Sequence, residues 1–510
     1  MLRKKNFAVL LMCTVIVATS MFLGGCKAKD NKPDSGQTSN TVENPKTEPV
    51  TLKFLGGTDK FNPVEDVTRM KIKDLLGYDI IPEMGTEEDK INLILSSNQE
   101  YDIIKFNNRA LLANYVKNNA IQPLNDYIDK YGPNLKKAIS QEVWDMLSVD
   151  GKIYAIPNTN YEAVTEGIGI RNDWLKKLDM NAPTTVDEFY TMLKIFKEKN
   201  PDGLDKNKVI PFTIMGDGTN FGLNGLTQAF GLGGSPTSYV EKDGKLVLGL
   251  DLPETKEYMQ FMRKLYKEGL MDPDFPINKW ANYDQKLGSG FVGSASMSCW
   301  FPTGQKAIME KGPDSKYIFI EPIKAKDGSQ KIATTGGLEN FIIVPRASKK
   351  AAEVVKFANA FIDPKNYTKM VIGDEGVTYK IDNGKYMPIF PAFDDLNMAR
   401  WFFPVNEGKI YTPLFTARAW KVKEQGEMWE DINDKCMKYG YLDPMTFSPL
   451  LPENAKYSKP LATLASEKLM KMVLDDKELA KYDDFVKEYK AKGGDELTKA
   501  YNEWFKNKKK

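Results

Sequence analysis

Histidine is absent from all 510 residues. With it go the Ser-His-Asp and Cys-His relays, the commonest general base at neutral pH, and zinc or copper sites built on imidazole. Any catalysis would rest on carboxylates. Net charge is equally scarce: 71 basic side chains stand against 69 acidic ones, so composition marks neither a nucleic-acid binder nor an anionic-lipid binder. The one strongly basic stretch, Lys506 to Lys510, reads as a solvated end. There is no Gly-x-x-x-x-Gly-Lys-Ser/Thr and no Gly-x-Gly-x-x-Gly at a strand-to-helix junction, which removes those phosphate cradles. Four cysteines in such a chain imply no disulfide scaffold.

Long apolar runs are missing too, except at the start. Arg3, Lys4 and Lys5 precede an uncharged run from Phe7 to Leu23, followed by Gly24, Gly25 and Cys26. This is a secretory signal layout, with small residues at the cleavage point and no charged stop-transfer flank. Leu23-Gly24-Gly25-Cys26 resembles the lipobox of bacterial lipoproteins, whose cysteine receives a diacylglycerol before cleavage. The expectation is a signal peptide over 1–25 and a lipid anchor on Cys26. Several acyl chains, at about 0.8 kcal/mol per buried methylene, would hold the chain at the outer membrane face. Residues 26–49, rich in Lys, Asp, Asn, Ser, Thr and Pro, read as a tether. Cys13 leaves with the signal and Cys26 is acylated, so Cys299 and Cys436 remain, either paired in an oxidising exterior or buried and free.

From Val50 the pattern predicts strand (50–55), helix (64–76), strand (78–81), helix (87–95) and strand (102–106), with Thr86 as an N-cap and Ile91, Ile94 and Leu95 inward. Such alternation predicts a mainly parallel sheet covered on both faces, with ligands beyond the carboxyl ends of its strands. Those ends are Gly56 to Lys60, containing Asp59, and Asn107-Asn108-Arg109. Glycines that turn the chain and asparagines that cap a helix account for the same residues. Farther on, Thr185 and Glu188 form a capping box, and Val186, Phe189, Leu193 and Phe196 a core stripe. A helix from Pro253 to Gly269 turns Met259, Met262, Leu265 and Tyr266 inward. Strand-like runs at 317–320 and 341–345 and a helix over 348–361 follow. The length calls for about two domains.

Several stretches then align with one family, the family 1 extracellular solute-binding lipoproteins of bacterial ABC importers. Tyr101-Asp102-Ile103-Ile104 is similar to its cleft-loop strand, and Gly151-Lys152-Ile153-Tyr154-Ala155-Ile156-Pro157 to its Gly-Lys-Ile-Tyr-Gly-Ile-Pro signature. Ile170-Arg171-Asn172-Asp173-Trp174-Leu175 with Pro183-Thr184-Thr185, Glu375-Gly376-Val377 with Tyr379 and Asn383-Gly384-Lys385, and Gly493-Gly494-Asp495-Glu496 resemble later segments of the large Gram-positive subgroup. The resemblance implies an α/β, periplasmic-binding-protein-like (type II) fold: two lobes, a hinge and an interlobe cleft. It implies crossings near 158–169 and 336–340, giving one lobe from 50–160 and 337–395 and the other from 161–336 and 396–510. It further implies a monomer on the extracellular face of the cell membrane that binds a carbohydrate, mostly an oligosaccharide, and hands it unaltered to a pair of permease subunits, with no cofactor.

A sugar binder needs aromatic platforms and planar hydrogen-bonding side chains. The platform candidates are Trp300, whose segment resembles the family's second-lobe cleft wall, then Trp280, Tyr161 and Trp401, each of which also suits an ordinary core. The polar candidates are Asp59, Asn107, Asn108, Arg109, Asn160, Asp217 and Glu339; Arg109 and Arg171 also suit bracing of the lobes through carboxylates. Some relatives carry an oxygen-rich calcium loop where this chain has Asn200 to Val209. Leu204, Lys208 and Val209 there supply no anionic oxygen, so no tight calcium site is expected. Without histidine, affinity is expected to vary little between about pH 6 and 8. The rivals are a surface glycoside hydrolase, for which no acid pair stands out, and a sensor component that keeps the binding chemistry but changes the partner.

Overall fold

The computed structural model describes residues 48–57, 64–216, 226–396, 399–449 and 451–508. The signal segment, Cys26 and the tether to Thr47, together with Asp59 and Asp217, lie outside the described residues.

Nine strands build two central sheets: β1 (Val50–Leu55), β2 (Tyr78–Glu83), β3 (Ile103–Phe106), β4 (Ala155–Thr159), β5 (Glu166–Arg171), β6 (Ile210–Thr213), β7 (Val292–Ser298), β8 (Tyr317–Phe319) and β9 (Leu338–Ile343). The first sheet runs β2-β1-β3-β9-β4 and the second β8-β5-β7-β6. The chain therefore leaves the first sheet after Thr159, completes the second, and returns through β9. That return corrects the parallel expectation. β1 is parallel to β2 and β3, but β9 comes back from the other sheet and pairs antiparallel with both β3 and β4. In the second sheet only β6 and β7 are parallel.

Burial on both faces of the first sheet follows from the two-residue period of its strands. Ile103 and Ile342 point into one apolar cluster, and their neighbours Ile104, Phe341 and Ile343 into another. Around the second sheet, Val186–Lys199 buries Phe189, Met192, Leu193 and Phe196, with Val186 only partly covered, and Pro253–Lys267 buries Met259, Met262 and Leu265. Caps set the helix starts. Asp66 accepts from the Thr68 N–H at 2.8 Å to begin Val67–Leu76. Thr185 accepts from Glu188 N–H at 3.2 Å, and the Glu188 carboxylate reaches back to Thr184 N–H at 2.7 Å. Thr86 does not cap its helix: Glu87 keeps an extended backbone (φ −64°, ψ 131°), and Glu88–Ser96 begins without a side-chain cap.

Arg171 serves as a structural brace through carboxylates, as expected. Its guanidinium, 1% exposed, forks onto Asp173 at 2.8 and 2.6 Å and reaches Asp202 at 3.0 Å, tying β5 to the loop before β6. Asp202 also accepts from Trp174 Nε1 at 2.8 Å and from Lys177. Burial pushes its carboxyl up, but the bonds from Lys177 and Trp174 and the charge of Arg171 outweigh that and hold it below the ordinary range. An acid in the loop that resembles a calcium site thus faces cationic side chains. Removing one partner from a buried ion pair costs about 3 kcal/mol or more. Arg171→Met is accordingly expected to lower unfolding free energy by about that amount in denaturant titrations, while calorimetry on chelator-treated protein is expected to find no micromolar calcium binding.

Candidate functional site

Where the chain passes between the sheets, its two crossing segments bond to each other. The Thr335 hydroxyl donates to a carbonyl on the opposite segment, Tyr161 O at 2.8 Å or Ala163 O at 3.0 Å, and Asn160 N–H donates to Gly337 O at 2.8 Å. A third segment joins them. Asn406 Nδ2 donates to Thr159 O at 2.7 Å, and Thr159 N–H returns the bond to Asn406 O at 2.9 Å. The helix Gly408–Ala419 starts directly against this junction; a Cβ on Gly408 would fall 2.2 Å from Asn160 O, so only glycine lets the helix approach.

A cavity of about 380 Å³ opens beside the junction. This lies in the usual range of ligand pockets, about 300–1,000 Å³. Five of the residues singled out from sequence line it: Asn160, Tyr161, Trp300, Glu339 and Trp401. Tyr161 forms the buried floor, stacked on Phe415 with ring centres 3.7 Å apart and met edge-on by Trp300 at 6.5 Å. Trp300 lies 5.7 Å from Phe415, also edge-on, and stays partly open. Trp401 rests over Gly57 at the end of β1, where φ is +87° and a Cβ would meet the indole at 3.0 Å. The glycine loop after β1 thus seats a cavity wall as well as turning the chain.

The same structure takes other candidates elsewhere. Asn108 caps the helix Arg109–Lys117, accepting from Ala110 and Leu111 N–H at 3.0 and 3.3 Å, and its Nδ2 donates to Glu88 at 2.7 Å. Arg109 donates to Ser448 O at 2.5 Å, and burial pushes its guanidinium down to about 10. Asn107 is exposed, and Trp280, 48% exposed, packs 4.4 Å from the Phe301 ring. None of these four lines the cavity. Cys299 and Cys436 are both free and buried.

Four lining residues went unforeseen: Arg400, Phe415, Arg418 and Lys421. Arg400 pairs with Glu339 on β9. Phe415 and Arg418 are three residues apart on one helix, a spacing that puts both on one face. Lys421 is pushed down to about 8, first by burial and then by the positive charges of Arg418 and Arg400. Behind the Glu339–Arg400 pair, Lys105 on β3 is buried and donates to Arg400 O at 3.0 Å and Phe403 O at 3.2 Å. Burial and the nearby Arg400 charge push its ammonium down to about 7. The expected pH-independence assumed ordinary pKa values, and burial of these two lysines removes that premise.

Lys105 gives a clean stability signature. Its folded-state pKa of about 7 lies below the ordinary lysine value of 10.5, so above pH 7 the unfolded chain holds more protons and stability rises with pH toward 10.5. Between about pH 6.5 and 8, where no histidine titrates, the expected gain is about 1 kcal/mol by denaturant titration, to which Lys421 adds. The Lys105 share is expected to vanish in Lys105→Met; a flat wild-type profile would refute the assignment.

Comparison with known proteins places this geometry. Residues 77–379 match the family model described as bacterial extracellular solute-binding protein. Lipoprotein LipO of Bacillus subtilis is 24% identical over 96% of this chain and 97% of its own. The polygalacturonan/rhamnogalacturonan-binding protein YtcQ of the same organism is 24% identical over 98% of this chain and 99% of its own. Among solved structures, the Streptococcus pneumoniae ABC-transporter substrate-binding protein FusA in complex with kestose superposes with a TM-score of 0.69 at 21% identity, covering 90% of this chain and 99% of that one. Two sheets joined by paired crossings are the two-lobed, periplasmic-binding-protein-like fold of these neighbours, and the chain belongs to the bacterial extracellular solute-binding protein family.

Proposed function

We propose that this chain is the lipid-anchored, extracellular substrate-binding component of an ABC importer, which captures a carbohydrate and delivers it unaltered to membrane permease subunits. The observation that carries this reading is the cavity at the crossings, where partly open indoles stand beside amide and charged side chains. Indole faces cover the C–H faces of a sugar, and the polar groups meet its hydroxyls. The named ligands of the similar proteins, kestose for FusA and polygalacturonan for YtcQ, are both carbohydrates. Anchoring through Cys26 follows from the lipobox-like sequence and has its counterpart in LipO.

The lobes divide as 50–160 with 337–395, and 161–336 with 396–510, and the protein acts as a monomer without nucleic acid or cofactor. Asn160, Tyr161, Trp300, Glu339 and Trp401 contact ligand; Asp59 and Asp217, outside the described residues, remain part of the proposed site, as do Asn107, Asn108, Arg109 and Trp280 for a longer glycan that runs past the cavity. Contacts to both lobes favour closure by their differential affinity, and the permease reads the closed form. Hydrolysis would need two carboxylates flanking the bond. Among the described residues the cavity offers Glu339, which Arg400 already engages.

Thermal-shift screening against an oligosaccharide panel, followed by calorimetry and product chromatography, is expected to show one-to-one binding with no turnover. Removing an indole that covers ~60 Å² of sugar is worth on the order of 1.5 kcal/mol, so Trp300→Ala is expected to weaken binding about tenfold. Released products would establish the hydrolase, and absence of binding by every glycan would defeat the transport reading. Neighbouring genes for a membrane kinase in place of two permeases would point to the sensor.

A further inference from the structure

The pairing of β9 with β4 slips at one residue. Leu338 stands opposite Thr159 and Asn340 opposite Asn158, so two steps along β9 match one step along β4, and Glu339 between them has no counterpart. This is a β-bulge, a device that re-aims a side chain and interrupts the ladder beside it. Here it falls on Glu339, which lines the ligand cavity and pairs with Arg400.

The interruption leaves polar groups behind. Asn158 is 2% exposed, and its Nδ2 has no hydrogen-bond partner from the chain; neither has Oδ1 of Asn340 across the ladder, nor the hydroxyl of buried Tyr411. All three residues line one second cavity, which also reaches Glu339 and Arg400 and so adjoins the ligand cavity. Lys105 lines it too, but its ammonium already donates to Arg400 O and Phe403 O. This second cavity is small, about 10 Å³ against about 380 Å³ for the first. A single water needs about that much room and two to four polar partners, and a sugar ring does not fit.

A buried donor without an acceptor is costly, and so is a buried acceptor without a donor. Asn158 supplies the donor and Asn340 the acceptor, and the two do not reach each other. A water accepts from the first while donating to the second, with capacity left for the Tyr411 hydroxyl. Chloride could only accept, which would leave Asn340 Oδ1 unmet, and a metal cation would face the Lys105 ammonium and the Asn158 donor.

We infer that the bulge holds a resident water: one molecule bridges Asn158 Nδ2 to Asn340 Oδ1 behind Glu339, and through it the two asparagines act as positioning residues that fix where the Glu339 carboxylate stands. The water site rests on the junction alone; its effect on ligand rests on the carbohydrate reading above.

Crystals of the full acyl-free chain, grown without glycan and diffracting well enough to show waters, test the site directly. One peak is expected within ~3.2 Å of both Asn158 and Asn340. No peak, or an anomalous signal there after a bromide soak, which would mark an anion, overturns the assignment. Asn340→Leu is expected to lose the water and to separate Glu339 from Arg400, and Asn340→Asp, which keeps an acceptor, to retain both. In calorimetry against kestose, trigalacturonate and mannotriose, whichever sugar binds the wild type is expected to bind Asn340→Leu about tenfold more weakly and Asn340→Asp within about twofold of wild type. Equal losses in the two variants, or no loss in Asn340→Leu, overturn the positioning role. If none of the three sugars binds the wild type, that failure belongs to the carbohydrate reading, and the crystals alone decide the water and the place of Glu339. The wild-type crystals keep the water assignment testable should a variant fail to fold.

Discussion

The hydrogen bonds that join the two crossing segments govern everything around them. Thr335, between the carbonyls of Tyr161 and Ala163, and Asn406, exchanging bonds with Thr159, hold three separate stretches of chain at one junction. Because the segments connect the two sheets, residues beside them line one cavity: Asn160 and Tyr161 from one segment, Glu339 from another, and Phe415 and Arg418 from the helix that follows the third. A cavity at this place needs no separate device. It lies where chain from both sheets meets the helix that starts at Gly408.

Such a junction has an electrostatic consequence. Cationic side chains bond backbone carbonyls around it: Lys105 reaches Arg400 O and Phe403 O, and Arg418 reaches Val371 O and Leu396 O. For Lys105 these neutral acceptors supply hydrogen bonds without charge, and burial with the nearby Arg400 charge lowers its pKa to about 7.

Sequence patterns revealed much of the fold because they are local. The spacing of Ile91, Ile94 and Leu95 and the strand Val50–Leu55 express periodicities of 3.6 and 2 residues, and the Thr185–Glu188 box is a cap made within four residues. The direction of β9 was not legible, since it depends on which sheet the chain returns from. The same distinction divides the site residues. Asn108 and Asn160 look alike as asparagines at strand ends, but Asn108 precedes a helix and caps it, whereas Asn160 opens a crossing. Lys105 and Arg418 gave no signal at all: each is an ordinary basic residue in an apolar strand or helix, and only long-range packing reveals that its partners are carbonyls. Arg400 could have been found, standing directly before the recognised Trp401.

Platform and charge reside on different parts of the chain, and this bears on how such a site changes. Tyr161, 5% exposed and stacked on Phe415, sits in the packed core beside the junction, so altering its ring would disturb that packing. Lys421 lies after the helix end and Trp300 on a turn following β7, both partly open and outside the crossing bonds. Substitution at these positions would reshape the cavity at little cost to the fold. The aromatic floor of the cavity is therefore tied to the architecture, whereas its edge is formed by side chains the fold does not depend on.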